Sequence, residues 1–150
     1  MKGLGVSIIG CMMLFACAGH PPENLGVREN RLAKCPARPN CVSSQAVDED
    51  HFLPPLQYQG EKETAVALLK KVLSSFERMT ILTEKDNYLH IECKSSRMGF
   101  VDDLEFYFSA EKQIQVRSAS RVGYSDLGVN RRRVEKLREL FAAQLRNTQK

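Results

Sequence analysis

Along residues 61–76 apolar side chains return every three or four positions, so that Ala65, Leu69, Val72 and Phe76 share one stripe. That spacing predicts an amphipathic helix starting just after Gly60. Acids occupy its first turn and Lys70-Lys71 come later, the order the helix dipole favours. The period then falls to two. Runs at 79–83, 88–94, 100–108 and 113–121 predict four strands, with Lys85-Asp86-Asn87 as the first turn. In the second strand Leu89, Ile91 and Cys93 share a face, and Tyr88, His90, Glu92 and Lys94 take the other. In the third, Leu104, Phe106 and Phe108 point inward and Asp103, Glu105 and Tyr107 outward. In the fourth, Ile114, Val116, Ser118 and Ser120 share one face, leaving Gln115, Arg117, Ala119 and Arg121 on the opposite one. Helical spacing returns near Asn130, a good N-cap, with Val134, Leu137, Phe141 and Leu145 as its stripe. Upstream of residue 60 no period is visible, and all six prolines lie before residue 56. The expected fold is α+β: a four-stranded antiparallel sheet with two helices packed on one face, preceded by an irregular N-terminal region.

Strict alternation restricts the last hairpin, because a one-residue slip would turn every side chain over. Two registers keep Phe106 and Phe108 beside Ile114 and Val116. One places Arg117 opposite Asp103 across a three-residue loop; the other places it opposite Glu105 across a five-residue loop. Either arrangement predicts a cross-strand ion pair on the outer face, solvated and worth well under ~1 kcal/mol. Asp102 has inward parity, and its partner is Ser118 or Ser120. The apolar face therefore turns polar where the strand runs into the next turn. A carboxylate there needs hydroxyls, amides or an arginine. It either caps the turn with those partners or is thrown outward by a bulge.

Charge adds little: 22 Lys and Arg against 18 Asp and Glu, dispersed along the chain, with no Trp. This balance excludes a nucleic-acid surface. The N-terminus changes the picture more. Lys2 precedes an uncharged apolar run at 4–16, the pattern of a secretory signal and too short for an ordinary membrane span. Leu14-Phe15-Ala16-Cys17 resembles the bacterial lipobox, which makes Cys17 the expected acylation site; ordinary cleavage or an uncleaved anchor are the alternatives. The expected organisation is a signal peptide at 1–16, a lipidated tether at 17–34, one domain at 35–146 and a tail at 147–150. Ala18 after the cysteine points to the outer membrane, facing the periplasm. In that oxidising compartment Cys35 and Cys41, five residues apart with two prolines between them, are expected to form a disulfide stapling the irregular region. Metal or redox chemistry at this pair is the alternative. Cys93, on an apolar strand face, is expected to be an inert core thiol.

The stretch 118–135 concentrates the unusual residue choices. It leaves the fourth strand, passes a turn with Gly123 and Gly128, and enters a helix opening on Arg131-Arg132-Arg133. Cations are disfavoured at a helix N-terminus, so they need a reason. Local pairing with Glu135 is one; an anion held between guanidiniums and free helix amides is another. The expected pocket combines Arg121, Asn130 and one of Arg131 or Arg133, with Asp126 orienting a guanidinium and Asp102, Ser118 and Ser120 beside it. Its competitor is an internal salt-bridge knot. The Gly-Tyr-Ser-Asp-Leu-Gly segment at 123–128 is one residue too long for a nucleophile elbow. His20, His51 and His90 are scattered, which speaks against a histidine metal site. No phosphate loop or dinucleotide fingerprint occurs, so no cofactor is expected.

Three motifs in order carry a resemblance: Cys35-Pro-x-x-Pro-Asn-Cys41-Val-Ser-Ser-Gln45, Gly99-Phe-Val-Asp-Asp-x-Glu105, and Ser118-Ala-Ser-Arg-Val-Gly-Tyr-Ser-Asp-x-Gly-Val-Asn-Arg-x-Arg-Val-Glu135. Over residues 34–140 the chain resembles the DUF1499 family, which occurs in bacterial envelopes and plastids and whose activity is not established. The resemblance implies no catalytic residue. It does imply that Asp102, Asp103, Arg117, Ser118, Ser120, Arg121, Asp126, Asn130, Arg131 and Arg133 belong to the family's common pattern. The leading expectation is a lipid-anchored envelope protein that binds a small anion or an envelope protein through 118–135. A hydrolase using Asp102 or Asp126 as general base, and a structural assembly factor, are the alternatives.

Overall fold

The computed structural model describes residues 19–96 and 98–148; Cys17, the apolar N-terminal run and residues 149–150 lie outside the described residues. Its elements are β1 (Cys41–Ser43), β2 (Leu56–Gln57), α1 (Lys62–Leu73), β3 (Met79–Lys85), β4 (Tyr88–Lys94), β5 (Val101–Phe108), β6 (Gln113–Ser120) and α2 (Val129–Thr148). Helix α1 stops before Phe76 because Ser74 and Ser75 turn their hydroxyls onto the carbonyls of Lys71 and Val72, at 2.8 and 2.7 Å. Those carbonyls would otherwise be among the unpaired ones at a helix end. Phe76 still packs on the core from beyond the helix.

The four expected strands form the meander β3-β4-β5-β6, all antiparallel. The sheet nevertheless has six strands among the described residues, in the order β1-β6-β5-β4-β3 with β2 also on β6. The additional two come from the proline-rich region, where pieces of two and three residues are too short for alternation to register. They are held by their partner: Cys41 lies opposite Ala119, and Leu56 opposite Ile114. In the last hairpin the five-residue register is the one adopted, with Glu105 opposite Arg117 and Asp102 opposite Ser120. Leu89, Ile91, Leu104, Phe106, Ile114 and Val116 form one buried face, shared with Leu69 and Val72 of α1 and Val134, Leu137 and Phe141 of α2.

Over β5 and β6 the other face is not solvent-facing, although edge strand β3 stays largely exposed. Every residue of β5 is buried on both sides, and the Arg117–Glu105 pair expected to be solvated has side chains only 4% and 0% exposed. What covers it is the stretch expected to be a tether. The Gly26 amide donates to Glu105 at 2.8 Å, the Tyr107 hydroxyl donates to Asn30 at 3.0 Å, and Leu32 is buried. Gly19 already lies against the side chains of Arg121 and Val122, so close that a Cβ there would meet Arg121 Cβ at 3.0 Å. Gln45 ties the crossing segment down by accepting from the Leu32 amide and donating to the Asn30 carbonyl. Cys35 and Cys41 are disulfide-bonded, with 5.6 Å between their Cα atoms, and this staple fixes the entry to β1.

Candidate functional site

The end of the sheet where β5 begins and β6 finishes carries two adjacent buried carboxylates, Asp102 and Asp103. Alternation sends Asp102 to the helix side of the sheet and Asp103 to the other. On the helix side, Ser120 donates its hydroxyl to Asp102 at 2.5 Å, and Arg133 donates to the second carboxylate oxygen at 2.6 Å. Asn130 sits between strand and helix, fully buried. Its carboxamide oxygen accepts from the Ser118 hydroxyl and, at 2.6 Å, from Arg133; its amide donates to Ser120 at 3.1 Å and weakly to the Asn40 carbonyl. Asn130 is therefore not the N-cap. Asp126 does that work, accepting the amides of Gly128 and Asn130 at 2.9 and 2.7 Å, and it orients no guanidinium. Gly128 (φ 76°) allows the chain to turn into the helix there.

Arg121 points the opposite way. Its guanidinium makes a two-pronged contact with Asp103 at 2.9 and 2.8 Å and reaches Glu92 at 3.1 Å, while His90 Nε2 lies 2.8 Å from the same Asp103 carboxylate. Burial alone would raise the Asp103 carboxyl. The hydrogen bonds from His90 and Arg121 and the Arg121 charge outweigh it and hold the group below the usual carboxylate range. In return, Asp103 pushes the Arg121 guanidinium up. Further along the same face, Glu105 accepts from Tyr88 and the Gly26 amide through one oxygen, and from Arg117 at 2.9 Å through the other.

The expected pocket is thus divided. Asp102, Ser118, Ser120, Asn130 and Arg133 come together, whereas Arg121 is separated from them by the thickness of the sheet. Parity alone decides this, since Ser120 and Arg121 are neighbours in sequence on a strand. Arg131 is elsewhere again, donating to the carbonyls of Asp50 and Phe52 at 2.7 and 2.8 Å and so pinning that loop to α2. Four partners lie outside the sequence-based expectation. His90 and Glu92 shared outward parity with Asp103, a signal that was present; Asn40 and Gly26 lie in aperiodic segments and gave none.

Arg133 also borders open space. A cleft of about 290 Å³ beside it is lined by Arg78, Lys94, Ser96 and Glu77, with Phe76, Met79 and Cys93 as its apolar wall. A larger cavity of about 470 Å³ lies away from residues 118–135, between residues 31–35 and 43–48 and so beside the first motif. The Cys93 thiol is buried, and that burial pushes it up to about 12, too high for a thiolate nucleophile at neutral pH. Asp102 and Asp126, the two carboxylates considered as general bases, are engaged by a guanidinium and a hydroxyl in one case and by two helix amides in the other. Among the described residues no group of three or more His, Cys, Asp or Glu is placed to hold a metal ion, and no helix is long and apolar enough to cross a membrane.

No curated protein and no solved structure matches the chain. Residues 31–141 match the model of a family described as a protein of unknown function. That span holds all three motifs and both sides of the divided cluster, and by it the chain belongs to the DUF1499 family.

Proposed function

We propose that this chain is a lipid-anchored protein of the bacterial envelope that acts by binding an anionic group, and that contact is made at the cleft over Arg133 rather than in the turn. One observation carries the reading. Arg133 is held rigidly from behind by Asp102 and Asn130 while its edge borders a cleft whose rim adds Arg78 and Lys94, each on the surface beside an acid, Glu77 at 3.3 Å and Glu92 at 2.9 Å, that an anion would compete with. A preorganised guanidinium with two further cations nearby suits a phosphate or carboxylate. The same engagement of Asp102 and Asp126 favours binding over hydrolysis.

Thermal unfolding in increasing inorganic phosphate tests the site, since a ligand that binds only the folded chain raises Tm with concentration. Wild type should show that rise and Lys94→Gln with Arg78→Gln should lose it, while both melt alike without phosphate. A flat response in wild type contradicts the reading. The anchor rests on Leu14 to Cys17 and has its own test. Mass spectrometry of the mature N-terminus should find an acylated Cys17 as the first residue, and an unmodified Cys17 would contradict it.

A further inference from the structure

We propose that the end of the domain formed by the β4–β5 loop and the turn at 121–128 docks on a phospholipid surface, with the cleft over Arg133 receiving a headgroup phosphate. This rests on the anchored, anion-binding reading above and identifies the anion.

The two ends of the sheet differ in kind. At the far end the hairpin turns present Asp86, Asn87, Glu111 and Lys112. At the near end Tyr124 is 71% exposed, Leu127 84%, Met98 67% and Phe100 38%. Large apolar side chains held out on turns at one pole of a domain mark a surface that meets something apolar. The turn bearing two of them is stiff, because Asp126 caps the helix behind it and Asn40 donates to the Gly123 carbonyl at 2.9 Å.

The path of the N-terminal chain says what that something is. Gly19 packs on Arg121 and Val122, at the base of the same turn. Only Ala18 separates it from Cys17. Two residue steps span at most about 7 Å, so an acyl group on Cys17 would enter the bilayer within that distance of the turn. Beyond Gly19 the chain is held to the domain at separate points, Gly26 on Glu105, Asn30 on Tyr107 and Leu32 on Gln45. The domain then has no freedom to hang away from the membrane, and the pole that must touch it is the apolar one. Arg78 and Lys94, both exposed and paired only at the surface, with Glu77 at 3.3 Å and Glu92 at 2.9 Å, lie at this pole beside Arg133, where basic residues are drawn to anionic headgroups.

The chain contains no Trp, so one introduced indole reports only its own surroundings. The full-length acylated protein, as Leu127→Trp or Ala110→Trp, would be reconstituted in vesicles of phosphatidylethanolamine and phosphatidylglycerol with brominated acyl chains. Expected is a blue-shifted emission for Leu127→Trp, quenched by bromine, and a solvent-like, unquenched emission for Ala110→Trp at the opposite pole. Adding Arg78→Gln and Lys94→Gln should reduce the quenching, and excess inorganic phosphate should not abolish it, which separates a headgroup from a free ion. Protein that sediments with the vesicles but shows the same unquenched emission at both positions overturns docking and leaves the anchor standing. Protein that does not sediment with vesicles overturns the anchor, and docking with it.

Discussion

Replacing Glu105 by Ala should cost about 3–5 kcal/mol of stability, read as a fall in the urea midpoint with little change in slope. The side chain is fully buried, and removing it strands three donors at once. Arg117, itself 3% exposed, would keep its charge without a counter-charge, and the Tyr88 hydroxyl and Gly26 amide would lose their acceptor. Leaving one partner of a buried pair uncompensated is what makes such deletions severe, whatever the intact pair contributes net. The same variant should loosen the N-terminal crossing segment around Gly26, because Glu105 is one of its two polar attachments to β5, the other being Tyr107 to Asn30. Faster amide exchange at Gly26 would show that directly. A loss under about 1 kcal/mol would place the pair in water after all.

Arg121→Ala should be comparably damaging, again about 3–5 kcal/mol, because Asp103, fully buried, would keep only His90. It also carries a pH signature. The folded Asp103 carboxyl is held below its ordinary value of 3.8, so the unfolded chain takes up its proton first as the medium is acidified. The contribution is full above that ordinary value and is lost as pH falls through the lower folded one. Wild type should therefore lose stability steeply in that acid window. Arg121→Ala, already without the interaction, should lose less there. An identical acid slope in both would show that Arg121 is not what depresses Asp103.

Much of this architecture was legible in the pattern of apolar and polar positions. The helices follow from helical spacing, and the meander, the inward parity of Asp102 and a choice of two hairpin registers follow from a period of two and the demand that Phe106 and Val116 share a face; the structure adopts the register with Glu105 opposite Arg117 and Asp102 beside Ser120. The disulfide followed from spacing and compartment. What was not legible has a common cause, the aperiodic N-terminal third. Nothing in residues 19–34 signals that they lie across the sheet, so the polar pattern of that face reads as a wet surface, and Glu105, Arg117 and Asp103 as solvated charges. β1 and β2 are too short to alternate. The division of the cluster was legible in principle, since Ser120 and Arg121 cannot share a face.

The stretch 118–135 clasps β5, β6 and α2 together through buried pairs, with Arg133 held by Asp102 at the seam. A double-mutant cycle across that seam tests it most directly, comparing urea unfolding of Asp102→Ala, Arg133→Ala and the double variant. The clasp predicts that each single change is strongly destabilising and that the double variant loses distinctly less than their sum, a coupling on the order of 0.5–3 kcal/mol. Costs that simply add would contradict it, because two groups that do not hold one another have no interaction to lose twice.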